Sequence, residues 1–109
     1  MVAKKSLKAA RDELEARLTD FVGSGAAAPR PVVWENEWGH LEAIVPHDGF
    51  KGVSIVDRQD RVWDFLRKYS DPETLIYLSR VHTLDLDEFD DRYSKNDFPG
   101  GTTEIVRLD

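Results

Sequence analysis

Three histidines, His40, His47 and His82, are the residues of this chain best suited to metal or proton chemistry near neutral pH. Imidazole titrates in that range and is a common metal ligand. There is no cysteine. Thiolate catalysis, disulfides and any cluster held by the chain's own sulfurs are therefore excluded. Around the first two histidines lie the carboxylates Glu35, Glu37 and Asp48. A hydrolytic metal site needs three ligands and a base in fixed geometry. No H-E-x-x-H or comparable spacing occurs here, and His47-Asp48 sits in Pro46-His47-Asp48-Gly49, a run that reads as a turn. The chain is read as a non-enzyme.

His82 stands apart. It lies in Val81-His82-Thr83-Leu84-Asp85-Leu86, where it shares strand parity with Leu84 and Leu86. That parity puts the ring toward apolar surroundings, as a hydrogen-bonded core residue or as a ligand. A second set of informative residues runs from Phe50 to Arg58, as Phe50-Lys51-Gly52-Val53-Ser54-Ile55-Val56-Asp57-Arg58. Gly52 permits a tight turn, Phe50 can plug the seam between sheet and helix, Ser54 caps a helix, and Arg58 lies one turn into it.

The elements that must hold these residues follow from periodicity. Leu7, Ala10, Leu14, Leu18 and Phe21 recur at helical spacing behind Ser6, which predicts an amphipathic helix over Ser6–Phe21 with Ser6 as N-cap. Gly23–Pro31 reads as a linker. Val32–Trp38 and His40–Val45 alternate, which predicts two strands with a hairpin turn around Glu37–Gly39.

Ser54–Lys68 is the best-marked helix. Ser54 and Asp57 form a capping box, Ile55, Val56, Val62, Trp63, Phe65, Leu66 and Tyr69 make a broad apolar face, and Asp57–Arg61 and Asp64–Lys68 are candidate ion pairs. Asp71-Pro72-Glu73 opens a short helix, and Val81–Leu86 is a strand. Residues 87–109 read as an acidic tail, in which TTEIVRL is a candidate edge strand. The order predicts one α+β domain, with a small three-stranded mixed sheet built from residues 32–86 and covered by helices. In that sheet the His82 strand pairs with His40–Val45, and the helices beginning at Ser6 and Ser54 pack on one face.

At 109 residues, 40% hydrophobic and 33% charged, the chain has the composition of a single globular domain. The N-terminal Met-Val-Ala-Lys-Lys-Ser leads into charged sequence rather than a signal core, and no apolar run is long enough to cross a membrane. The expectation is a soluble cytoplasmic protein, monomeric or weakly dimeric. The formal charge is −6, from 21 acidic against 15 basic residues. That balance disfavours nucleic acid, whose binding is driven by phosphate neutralisation. Lys51, Arg58, Arg61, Arg67 and Lys68 form the local basic set, with Asp57, Asp60 and Asp64 interleaved.

The Phe50–Arg58 turn and helix, together with the downstream strand histidine, resemble the BolA family. Its helix opens with F-x-G-x-S-x-[IV]-x-R, and its last strand carries a histidine in an I-H-A-L-S-like context. The likeness spans His40–Leu86. It implies an adaptor or regulator in iron–sulfur cluster handling and the stress response, which binds a monothiol glutaredoxin and shares its two-iron cluster. By the same resemblance His82 matches the main metal-ligand position. The second ligand, a His or Cys in the loop between the first two strands, has His40 as its nearest candidate here. Imidazole is a known cluster ligand in mixed His–Cys sites. The turn and helix bearing Phe50, Gly52, Ser54 and Arg58 would form the partner-docking surface. The chain departs from the pattern at Gln59, where the family usually has histidine, at Asp60, in a longer approach to Phe50, and in an insertion around Asp71-Pro72-Glu73. Two alternatives stand beside this reading: a DNA-associated transcription regulator using helix 54–68, and a metal-free protein-interaction module.

Overall fold

Serine and aspartate caps set where the helices begin. In the structure, a computed structural model describing residues 5–23 and 29–93, Ser6 Oγ accepts from the Ala9 N–H at 3.1 Å and opens α1 (Leu7–Val22). Ser54 Oγ accepts from the Asp57 N–H at 3.2 Å and opens α2 (Ile55–Tyr69). Asp71 accepts from the Glu73 N–H at 3.1 Å and opens α3 (Pro72–Tyr77), with Pro72 at the first position, where its missing N–H costs nothing. Between α1 and α2 lie β1 (Val32–Glu35), β2 (Leu41–Pro46) and a single 3-10 turn at Asp48–Phe50. After α3 come β3 (Leu78–Leu84) and α4 (Leu86–Tyr93).

The sheet has the order β1-β2-β3. β1 and β2 are antiparallel, with Val33 opposite Ala43, while β2 and β3 are parallel, with Ile44 opposite His82. A parallel pair needs a long crossover, which α2 and α3 supply. The expected α+β class, the three-stranded mixed sheet and the pairing of the His82 strand with β2 all hold.

Alternation along the strands divides the sheet into two faces. On one, Val33, Leu41, Ala43, Val45, Leu78 and Val81 pack against Ala10, Leu14 and Leu18 of α1, Val62 and Leu66 of α2, and Phe50. On the other, Val32, Trp34, Ile44 and Leu84 meet Phe89 and Tyr93 of α4. As expected, the Ser6 and Ser54 helices share a face.

Several expected boundaries move. β1 stops at Glu35, not Trp38, because the Asn36 side chain closes the turn: its Oδ1 accepts from the backbone N–H of both Trp38 and His40 at 3.0 Å. β3 begins at Leu78, three residues before Val81, and ends at Leu84, so Leu86 belongs to a helix rather than the strand. The first part of the expected acidic tail is α4. It is opened by a reciprocal capping box in which Asp85 N–H donates to Glu88 Oε1 and Glu88 N–H to Asp85 Oδ1, both at 2.8 Å. The apolar face of α2 is narrower than expected, since Ile55, Val56 and Tyr69 are exposed. Asp64 pairs with Arg67 at 3.1 Å rather than with Lys68, which lies over the Tyr69 ring. The TTEIVRL segment and most of the linker fall outside the described residues.

A polar knot joins the two ends of the helical layer. Lys5 Nζ pairs with Glu13, lies 3.0 Å from Asp71 Oδ2 and donates to Thr74 Oγ1 at 2.9 Å. The Thr74 hydroxyl and the Asp71 N–H in turn donate to Glu13, at 2.9 and 2.8 Å. Tyr77 Oη donates to the Lys5 carbonyl at 2.7 Å. These contacts hold the start of α1 against α3. Burial alone would raise the Glu13 carboxyl, but the Lys5 ammonium, the Asp71 N–H and the Thr74 hydroxyl together hold it below its ordinary range.

Candidate functional site

β3 carries His82 onto the sheet face opposite α1 and α2. There the ring lies nearly parallel to Trp34 of β1, with centroids 5.8 Å apart and planes inclined by 18°. Its Nε2 is 3.1 Å from Glu42 Oε1 of β2, and the side chain keeps 26% of its exposure. All three strands thus contribute one side chain to the cluster. The expected apolar surroundings are there in Trp34, but the β2 side chain that meets the ring nitrogen is a carboxylate. Glu42 is itself largely buried, at 14% exposure, and its Oε2 accepts from Asn36 Nδ2 at 3.0 Å. The Asn36 hydrogen bond holds the Glu42 carboxyl below its ordinary range, and His82 adds to this, while burial opposes both.

His40 does not join His82. It precedes β2 and is exposed, and its backbone rather than its ring is engaged: its N–H donates to Asn36 Oδ1 and its carbonyl accepts from the Asn36 N–H at 2.8 Å. His82 stands opposite Ile44, four residues further along β2. That is about 13 Å at the usual strand rise. The two histidines are therefore not side by side on the sheet.

His47 is held elsewhere, between the rings of Phe21 and Phe50, with centroids at 5.4 and 5.1 Å. Its backbone N–H donates to the Leu84 carbonyl at 2.9 Å. Burial pushes its pKa down, and nearby Arg61 works in the same direction, against the pull of Asp48. Among the described residues no group of three or more His, Asp or Glu side chains is placed to hold a metal ion.

The four residues expected at the docking surface divide sharply. Gly52 is exposed with φ of 76°, a conformation that favours glycine, and Ser54 is exposed as the α2 cap. Phe50 is fully buried beneath α2 and α1. Arg58 retains 5% of its exposure and points inward. Its Nε donates to the Val53 carbonyl at 2.8 Å. Its Nη1 donates to the Thr83 carbonyl at 3.2 Å and to Glu88 Oε1 at 2.7 Å. Asp85 lies 4.0 Å from Nη2, and the guanidinium sits over the Phe50 ring at 5.7 Å. The exposed residues of this turn are Lys51, Gly52, Ser54, Ile55 and Val56. Phe50 and Arg58 shape it from beneath.

Arg58 also leaves the basic set expected for nucleic acid. On α2 that set reduces to Arg61, Arg67 and Lys68, with Arg67 paired to Asp64. Next along the helix, Gln59 Nε2 donates to the Val81 carbonyl at 2.7 Å, and its Oε1 accepts from Trp63 Nε1 at 3.2 Å.

The residues that sequence reasoning missed are Trp34, Glu42 and Asn36. Asn36 carried a signal, since asparagine just after a strand commonly closes a turn with its side chain. Glu42 lies 40 positions from His82 and becomes its neighbour only through the parallel pairing of β2 and β3. No family model, curated protein or solved structure matches the chain.

Proposed function

We propose that this domain is a BolA-like, non-enzymatic adaptor that presents the His82 imidazole to a two-iron cluster carried by a monothiol glutaredoxin. One observation carries the reading: His82 is a partly exposed imidazole on the sheet face that α1 and α2 leave uncovered, fixed by Trp34 and Glu42 from neighbouring strands. A ring held in one orientation on a rigid sheet is suited to being a ligand. In this reading the chain offers the His82 imidazole and the partner supplies the remaining ligands as thiolates. No helix among the described residues is long and apolar enough to cross a membrane.

The test mixes the protein with a cluster-loaded monothiol glutaredoxin and follows heterodimer formation and the visible spectrum. Wild type and His40→Ala should both alter the cluster spectrum, and His82→Ala should not, while all three stay folded by circular dichroism. An unchanged spectrum with wild type sinks the reading, as does a His40→Ala variant as defective as His82→Ala. DNA binding by α2 is disfavoured by the inward turn of Arg58 and by exposed Asp57, Asp60 and Asp64 on the same helix.

A further inference from the structure

The hydrogen bonds around His82 form a chain whose polarity is set at its far end. Two backbone N–H groups, of Trp38 and His40, both point at Asn36 Oδ1. A backbone N–H can only donate, so this atom must be the amide oxygen and the Asn36 amide cannot be reversed. Asn36 Nδ2 therefore faces Glu42 as a donor, which fills Glu42 Oε2. Glu42 Oε1 is left facing His82 Nε2. An ionised carboxylate only accepts, so the imidazole must carry its proton on Nε2. In a neutral ring the other nitrogen then holds the lone pair.

We propose that Glu42, locked by Asn36, is the positioning residue of the site: it fixes His82 as the Nε2–H tautomer and leaves Nδ1 as the nitrogen that meets the metal. The metal half of this statement rests on the cluster-adaptor reading above, whereas the tautomer half stands on the hydrogen bonds alone. The arrangement follows a general rule of metal sites, in which a ligating histidine donates its second ring N–H to a carboxylate that sets tautomer, orientation and basicity.

The chain of polarities predicts an unusual consequence for Glu42→Gln, a change of nearly equal volume. The locked Asn36 Nδ2 requires an acceptor, so the Gln carbonyl must turn toward it. The Gln amide –NH2 then faces His82 Nε2 and can only donate. The proton must move to Nδ1, and the nitrogen offered to a metal is blocked. Glu42→Gln should thus invert the tautomer rather than merely weaken its preference. Glu42→Leu, which removes the partner, should give a mixture.

The test has two arms. In the free protein, ring 15N shifts and two-bond couplings of His82, recorded in alkaline buffer where imidazole is neutral, report the tautomer without any cluster. Wild type should show protonated Nε2 and bare Nδ1, and Glu42→Gln the reverse. In the second arm, titration with cluster-loaded glutaredoxin should show Glu42→Gln binding the cluster about 10- to 100-fold more weakly than wild type, the usual cost of losing such a partner. A predominant Nδ1–H tautomer in wild type, or an unchanged tautomer in Glu42→Gln, overturns the positioning role. If the tautomers behave as stated but wild type leaves the cluster spectrum unchanged, the adaptor reading and its metal half fall while the relay from Asn36 to His82 stands.

Discussion

Replacing Arg58 separates a structural role from a docking role by magnitude. The residue is a hub: its guanidinium joins the start of α2, the end of β3 and the first turn of α4 through the Val53 and Thr83 carbonyls and Glu88. Each hydrogen bond from the guanidinium to a backbone carbonyl contributes about 1 kcal/mol net, because desolvation of the buried cation offsets part of the charge-assisted gain. The Glu88 pair is charged, but Glu88 is 44% exposed, so solvent screening holds its share below about 1 kcal/mol. Arg58→Met keeps an apolar stem of similar length and removes only the guanidinium, which gives a loss of about 2–3 kcal/mol. Arg58→Ala also removes the stem packed on Phe50 and should cost roughly 1 kcal/mol more. For a domain of this size each kcal/mol lowers Tm by about 4–8 °C, so Arg58→Met should melt roughly 8–24 °C below wild type. Urea unfolding followed by tryptophan fluorescence gives the free energy, and thermal circular dichroism gives Tm. The reasoning fails if Arg58→Met unfolds within about 0.5 kcal/mol of wild type. It fails more tellingly if that variant is as stable as wild type yet has lost partner binding, because Arg58 would then belong to the docking surface after all.

Two further outcomes follow from buried groups. His47 has a pKa below its ordinary value of 6.5, chiefly through burial, so the unfolded chain binds its proton more readily than the folded one. Its contribution to stability is complete above about pH 6.5 and is lost as pH falls through the lower, folded value. Urea midpoints measured from pH 7.5 to 5 should decline in wild type, and His47→Gln should flatten that part of the profile; parallel profiles would refute the assignment. Thr83 is buried, and its hydroxyl finds no hydrogen-bond partner among the described residues. Thr83→Val, which replaces that hydroxyl with a methyl group, should leave stability unchanged or raise it by up to about 1 kcal/mol, and a loss above about 1 kcal/mol in denaturant titration would show that the hydroxyl is in fact satisfied.

Three helix starts were legible in the sequence from a short polar capping side chain. Ser6, Ser54 and Asp71 all act as read, because capping is a local interaction that needs only the next three residues. α4 carried the same kind of signal in Asp85-x-x-Glu88, with Leu86, Phe89 and Tyr93 at helical spacing. The density of Asp and Glu hid it beneath the appearance of a solvated tail. The start of β3 left no mark, because α3 passes into the strand from Tyr77 to Leu78 without a glycine or proline to punctuate it. Arg58 shows the deeper limit. An arginine in a charged helix reads as surface, and only the tertiary structure reveals that backbone carbonyls from two other segments can satisfy a buried guanidinium. Of the site, the facing of His82 could be read from parity. Its partner could not, since a contact between β2 and β3 depends on strand order and register rather than on spacing along the chain.

Gln59 joins these observations into a constraint on how a partner can bind. In a parallel strand, successive residues direct their backbone groups to opposite edges. β3 turns Leu84 toward the β2 side, where its carbonyl accepts from the His47 N–H, and turns Val81 and Thr83 outward. Those outward carbonyls would be the template for an added strand. They are already taken, Val81 by Gln59 and Thr83 by Arg58. On the opposite edge the Val33 backbone engages Glu15 of α1, whose carboxyl burial pushes up. Recognition by strand addition, a common route onto a small sheet, therefore meets occupied acceptors at the His82 strand. Gln59 thus contributes to closing that edge. For the partner proposed above, this leaves side-chain contact with the face bearing Trp34, Glu42 and His82 as the route that strand occupancy does not close.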